Sequence, residues 1–520
     1  MSAATVTLIV LGLTVVVFVL DRLPVAVVAV AVALALWATG VLDLGEALAG
    51  FGDPTVLFIA ALFVVSEGLD AAGVTSWVGE QAMARIGESR VRLLIVVMLM
   101  VAALTALINV NGAVAALIPV TVVIAIRTRR PPSDLLMPLA FAAHAGSLLM
   151  LTGSPVNLIV SDYAEAAGVG EIGLFSFALV GIPLLLGTIG VVVLFGGRLV
   201  PQRKTDRVLR DFGSHAQVLT EHYGFDGDER VLMTREYGAA EIVIPPRSTF
   251  LGDTVYPGMV TESGRLVVKA VHQNGQEVRD PTVLAAGDTL LLQGAWEALE
   301  DMVKDPNALV VDAPERIRRQ AVPLGTGAKR AIAILAVMVV LLATGAVPAA
   351  VAGLLAALAM IVLRVIKIEQ AYRGIAWTTV ILVAGMMSLS TAMVKSGAAQ
   401  QLADSLVSVV GDAGPYALLA GLFVITAVLS QLISNMATAL IVIPIGLAAA
   451  AEMSISPKPI LMAVAVFAAA ALLTPVATPA NLMAMEAAGY RFGDYWKLGL
   501  PLLIIYGLVG MFLVPVFWGF

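Results

Sequence analysis

Four short polar motifs interrupt an otherwise apolar chain. Gly153-Ser154-Pro155-Val156-Asn157 and Ala477-Thr478-Pro479-Ala480-Asn481 both read small, hydroxyl, proline, any residue, asparagine, one in each half of the sequence. Ile108-Asn109-Val110-Asn111-Gly112 precedes Leu117-Ile118-Pro119, and Ile433-Ser434-Asn435-Met436-Ala437 precedes Val442-Ile443-Pro444, at the same offset to within a single position. None of these motifs contains Asp, Glu, Lys or Arg. Helix breaks free backbone groups: carbonyls can coordinate a cation, while helix N-termini and amide donors can hold an anion. Neutral Asn, Ser and Thr suit an anion of dispersed charge when a co-bound cation offsets it, because an uncompensated anion in low dielectric is expensive. The chemistry implied is the reversible holding of small ions.

Other chemistry is thinly represented. The chain has no Cys, which excludes disulfides, thiolate nucleophiles and Cys-ligated metals. Its four His are scattered, with no HExxH, and no GxxxxGK[ST] phosphate loop occurs. No paired-carboxylate or nucleophile constellation stands among the apolar segments, so an enzyme is not expected. The net charge of -6 gives no reason to expect a nucleic-acid partner. His144 falls inside an apolar segment and reads first as a satisfied structural residue, second as a proton relay.

The elements that position these motifs must lie in lipid. Of 520 residues, 59% are hydrophobic and 13% charged, against roughly 25% charge in a soluble domain. Segments of spanning length fall near 4–20, 23–41, 54–71, 135–160, 174–198, 328–345, 347–366, 375–396, 459–486 and 497–519. The first reads as a membrane helix, not a signal peptide. Two stretches, 91–126 and 413–451, are each about twice a single span. Arg90 and Arg92 before the first, and Arg127, Arg129 and Arg130 after it, put both its ends inside. Asp404, Asp412 and Glu452 put both ends of the second outside. Each is expected to be a re-entrant hairpin, entering from opposite faces. The fold class expected is an all-α polytopic membrane protein with two inverted repeats. Each repeat holds five helices plus one hairpin, over 1–200 and 326–520.

Between the repeats, 201–325 is charged and alternates as strands do in EIVIPP, RLVVKAV and DTLLLQG, with Gly252-Asp253 and Gly287-Asp288 as turns. A small α/β cytoplasmic insert is expected, its module at about 236–306.

These motifs resemble the divalent anion/sodium symporter family, over nearly all of both membrane halves. Ser434-Asn435 matches two of the three residues of that family's Ser-Asn-Thr hairpin tip, with Met436 in place of Thr; Asn109-Val110-Asn111 matches less well. Ala488-Gly489-Tyr490-Arg491-Phe492, Asp494, Tyr495 and Gly499 resemble its GYxFxD stretch. The insert resembles a TrkA C-terminal module through Val243-Ile244-Pro245-Pro246-Arg247-Ser248, Leu251-Gly252 and Ala286-Gly287-Asp288-Thr289-Leu290-Leu291. The resemblance implies symport of a small divalent anion, a dicarboxylate or sulfate, with Na+ by elevator-type motion; the alternatives are a proton-coupled or exchange transporter of an inorganic oxyanion and a channel gated by the soluble insert. It implies a multi-pass protein of the cell inner (plasma) membrane, a homodimer, and a small ligand for the insert. It implies one sodium site at Thr105, Asn109, Val110 and Gly153, and another at Ser430, Ser434, Asn435 and Ala477. The anion would lie against Asn111, Ser154, Asn435, Thr478 and Pro479.

Overall fold

The computed structural model describes residues 2–20, 22–75, 77, 89–128, 130–203, 237–261, 263–273, 276–278, 280–302, 305–311, 327–410, 414–475 and 477–520. The flanks of the insert at 204–236 and 312–326 lie outside the described residues. The chain divides into a large helical unit and a smaller unit that holds the strands.

The first half of the helical unit runs α1 (Ala3–Leu20), α2 (Val25–Ala38), the short α3 (Leu44–Leu48), α4 (Pro54–Ala71), α5 (Arg90–Leu107), α6 (Val110–Arg127), α7 (Ser133–Gly146), α8 (Pro155–Ala166) and α9 (Ala178–Leu199).

The smaller unit holds β1 (Tyr237–Val243), β2 (Thr254–Val255), β3 (Leu266–Gln273), β4 (Gln276–Val278), β5 (Thr282–Val283), β6 (Thr289–Ala295), α10 (Trp296–Met302) and β7 (Leu309–Val310). One sheet has the order β4-β3-β6-β1-β7, and β2 pairs with β5. Every pairing among the described residues is antiparallel. The expected small insert is present, and its pairings among the described residues make it α+β in detail: β6 lies between β1 and β3, antiparallel to both. β7 pairs with β1 beyond the expected module end at 306. The two Gly-Asp turns are required by backbone geometry. Gly252 has φ +94° and Gly287 φ +92°, a region where an L side chain is strained.

The second half runs α11 (Ala328–Thr344), α12 (Ala349–Val362), α13 (Ile368–Gly374), α14 (Trp377–Lys395), α15 (Ala398–Val410), α16 (Pro415–Leu432), α17 (Asn435–Glu452), α18 (Pro457–Ala468), α19 (Pro479–Ala488) and α20 (Tyr495–Leu508). The helix starts repeat as the motifs do. α1 matches α11, α2 to α4 match α12 to α14, and α5 to α8 match α16 to α19, each at the motifs' offset to within a single position. The repeat read from four motifs therefore extends through the helices that carry them.

Among the described residues, eight helices are long and apolar enough to cross a membrane, and three shorter apolar ones accompany them. The sequence suggests ten spans outside the hairpins, with 23–41 and 347–366 as full crossings. Yet α2 and α12 hold 14 residues each, starting after Pro24 and Pro348. At 1.5 Å per residue such a helix covers about 21 Å, short of a hydrocarbon core of about 30 Å. The segments 135–160 and 459–486 are each two half-helices with an interruption between them, which in the first holds a 3-10 turn at Leu151–Gly153. These half-helices form the centre. All of α7 is buried, as is Pro459–Ala468 of α18. A helix apolar on every side is one surrounded by protein or lipid, and here low exposure assigns it to protein.

The halves interlock. α19 packs on α6 and α7, while α8 packs on α17 and α18. Arg203 ties them further: its guanidinium donates to Asp494 at 2.9 and 2.6 Å, and its backbone N–H donates to Ser133 Oγ at 2.8 Å. Tyr490 donates to the Ser133 carbonyl and accepts from the Met137 N–H at 3.1 Å. The GYRFGD stretch thus seats the second half against the start of α7.

Candidate ion-binding site

Each motif breaks a helix and starts another. α5 stops at Leu107 and α6 begins after Asn109; α16 stops at Leu432 and α17 begins after Ser434. Pro155 and Pro479 open α8 and α19, at the position where a helix has no use for an N–H. Each new helix is capped by a motif side chain. Asn109 Oδ1 accepts from the Gly112 N–H at 2.8 Å, and Ser154 Oγ from the Val156 N–H at 3.2 Å. Ser434 Oγ accepts from the Ala437 N–H and Thr478 Oγ1 from the Asn481 N–H, both at 3.3 Å.

These four helix starts open onto one cavity of about 740 Å³, counted with its open mouth. Asn109, Val110, Asn111, Gly153 and Ser154 line it from the first half, and Ser434, Asn435, Ala477, Thr478 and Pro479 from the second. Four positive helix ends therefore face one space. No Asp, Glu, Lys or Arg is among the described lining residues. Phe63, Met436 and Thr379 complete parts of the wall.

Two of the sequence-expected residues lie off the wall. Thr105 and Ser430 are fully buried in the helices that precede the breaks, four residues before Asn109 and Ser434 respectively. Thr105 Oγ1 and Asn435 Oδ1 are buried with no hydrogen-bond partner among the described residues. An unpaired buried oxygen is costly, and one such oxygen sits in each residue set that the symporter resemblance assigns to sodium.

The breaks themselves are held by groups that the sequence presents only as motif members. Asn157 Nδ2 donates to the Ser147 and Met150 carbonyls at 2.7 and 3.0 Å. Asn481 Nδ2 donates to Ala471 and Thr474 at 2.9 and 3.2 Å. Their place in both motifs was the available signal. A Cβ on Gly181 of α9 would sit 2.1 Å from the Leu148 carbonyl oxygen, and one on Gly499 of α20 would sit 2.1 Å from that of Leu472. Gly153 is also demanded by contact, since a Cβ there would be 2.4 Å from the Ser147 oxygen. Gln431 had no sequence signal. It receives the Leu473 N–H on Oε1 at 2.8 Å and donates to the Ala470 carbonyl at 3.2 Å.

His144 belongs to the cavity wall. Its Nε2 lies 3.2 Å from Asn481 Oδ1 and 3.2 Å from Thr478 Oγ1. It is both satisfied, as its sequence context favours, and placed at the site. Lys395 pairs with Glu46 at 2.6 Å.

Comparison with known proteins agrees with this architecture. The family profile described as "Citrate transporter" (CitMHS) matches residues 15–446 and 411–520. The uncharacterized transporter YfbS of Escherichia coli is 31% identical over 602 aligned positions, covering 98% of each chain. Sodium/sulfate cotransporter 2 of Chlamydomonas reinhardtii is 24% identical over 62% of this chain and 36% of its own. The crystal structure of the YdaH transporter of Alcanivorax borkumensis superposes with a TM-score of 0.52 at 15% identity, covering 94% of this chain and 89% of that one, a likeness of fold alone. A profile match across nearly the whole chain, with two interlocked halves meeting at one uncharged cavity, identifies the chain as a multi-pass membrane transporter of the CitMHS citrate transporter family, related to the divalent anion/sodium symporters.

Proposed function

We propose that the chain is a secondary active symporter that carries a small divalent anion, a dicarboxylate or sulfate, together with sodium. The observation that carries this reading is the convergence of four capped helix N-termini on one cavity with no fixed charge among its described lining residues. Helix N-termini favour anions. Without a lysine or arginine, the anion's charge needs a mobile cation beside it, which makes joint loading the low-energy state. Thr105 with Asn109, Val110 and Gly153, and Ser430 with Ser434, Asn435 and Ala477, are the two proposed sodium sets. Asn111, Ser154, Asn435, Thr478 and Pro479 are the proposed anion set. The relatives named as sodium/sulfate cotransporters support sodium and sulfate as cargo.

The arms α5/α6 and α16/α17 are proposed as re-entrant hairpins that move with α8 and α19 against the outer helices, in a homodimer. The insert is proposed to be cytoplasmic, a TrkA C-terminal type module that takes a small ligand. Uptake of sulfate, citrate and succinate into proteoliposomes, with and without an inward sodium gradient, tests the reading. Saturable uptake that collapses without sodium is expected. Flux that ignores sodium would replace the coupling ion, and no flux of any of the three would reject the substrate class.

A further inference from the structure

The geometry points to His144 as a proton site that loads together with the anion, an inference that rests on the anion-binding reading above. His144 lines the cavity yet is 2% exposed. The Asn481 amide is oriented by its two carbonyl partners, which only Nδ2 can serve. Its Oδ1, an acceptor, therefore faces the imidazole, and Nε2 carries a hydrogen. Thr478 Oγ1 already receives the Asn481 N–H, so its own hydrogen is free to face the cavity. A further proton can enter the ring only at Nδ1, turning it into a cation.

That cation would stand nearly alone. On its own helix, Asp134 lies ten residues away and is paired with Arg90 of α5 at 2.6 Å. Arg92 of α5, Arg127 of α6 and Arg198 of α9 are at the far ends of the helices packed around α7. Glu486 of α19 lies five residues beyond Asn481 and off the wall. The Tyr495 phenol donates to the Asn481 carbonyl at 2.6 Å. None of these lines the cavity.

A buried imidazolium without a counter-charge is costly, and so is an anion among neutral donors. Each offsets the other. Proton and anion affinities are then coupled, and by the same factor in both directions. The proton comes from solvent onto Nδ1 and returns to solvent when the anion leaves. Only one half supplies it: the place of His144 in the first repeat is taken by Ala468 in the second.

The test is sulfate binding to the purified full chain at fixed sodium, from about pH 8 to about pH 5, the range in which histidine titrates. Sulfate keeps both charges across it. In the wild type, affinity should rise as pH falls, by up to about tenfold per unit, and sulfate addition in weak buffer should draw protons from solution. His144→Gln, neutral and able to donate to Asn481, should bind with no pH slope and no proton uptake. Equal slopes in the two proteins, or sulfate binding without proton uptake in the wild type, would overturn the inference and leave the anion site standing. The wild-type proton uptake decides even if the variant does not fold. If neither sulfate, citrate nor succinate binds at any pH, the anion-site reading falls and this one with it.

Discussion

Asn157 and Asn481, at matching places in the two repeats, close the two helix breaks with the same pair of bonds: each side-chain amide donates to carbonyls ten and seven residues before it. Non-helical backbone at membrane depth survives only where its polar groups are satisfied inside protein. Each Asn does this for two carbonyls at once. The motif asparagines thus hold the frame, and the neighbouring hydroxyls and N–H groups are left to face the cavity.

This division of labour predicts unequal outcomes at one position. Asn481→Ala leaves the Ala471 and Thr474 carbonyls without their donor, at about 1–3 kcal/mol for each unsatisfied group. Asn481→Asp does worse, since it turns an acceptor toward two acceptors. Thermal unfolding in detergent should rank wild type above Ala above Asp, and the same order should hold at Asn157. An Asp variant that melts with the wild type would show that the amide is not what closes the break.

The glycines over the breaks give a second test. A Cβ at Gly181 meets the Leu148 carbonyl oxygen at 2.1 Å, whereas one at Gly190, on the same helix, meets nothing within 4 Å. Gly190→Ala should be neutral or stabilising, by about 0.5–1 kcal/mol from helix propensity. Gly181→Ala should push the break away from α9 and lower both melting temperature and uptake. Indistinguishable melts for the two variants would remove the close packing from the account.

The repeat and its motifs were legible because each motif recurs at a fixed offset and mixes polar side chains into apolar runs. The same signal was blind to what holds a break from outside. Gly181 and Gly499 work by lacking a side chain, and nothing local marks a glycine as facing a carbonyl rather than a lipid. Gln431 has Ala106 at the matching place of the first repeat, so the repeat gave no hint of it. His144 was visible as an ionisable residue in an apolar segment. Its partners, Thr478 and Asn481, belong to the other half of the chain, and only the interlocking of halves brings them to 3.2 Å. The lengths of α2 and α12 were not legible because apolar residues continue past the helix ends: Val41 and Leu42 follow the stop at Ala38, and Val365 and Ile366 the stop at Val362.

If the cavity receives an anion at helix N-termini, a fixed carboxylate there should exclude it while still capping the helix. Asp caps a helix about as well as Ser and better than Thr. Ser154→Asp and Thr478→Asp should therefore keep the cap, while desolvation of the new carboxylate lowers thermal stability. Across a few ångströms, a like charge costs several kcal/mol even at an effective dielectric of about 20, so half-saturating substrate should rise more than about 100-fold. Sulfate uptake and a melting curve on the same preparation check both halves of the statement. Uptake within a few-fold of wild type would place the anion elsewhere.

Thr105 separates a cation ligand from a structural hydroxyl. Its side chain is fully buried, and Oγ1 has no hydrogen-bond partner among the described residues. In the absence of sodium, that oxygen stabilises nothing and has lost its hydration. Thr105→Val keeps the shape and removes the oxygen, so the sodium-free protein should melt at the same temperature or higher. If Thr105 helps to hold sodium, the same change should weaken sodium by about 1 kcal/mol, roughly fivefold in half-saturating concentration. The added stability that sodium confers on the wild type should shrink by the same amount. Sodium titrations of melting temperature in wild type and variant read both quantities at once. A variant that is destabilised without sodium, yet responds to sodium as the wild type does, would make Thr105 an ordinary core residue and leave Asn109, Val110 and Gly153 without their fourth partner.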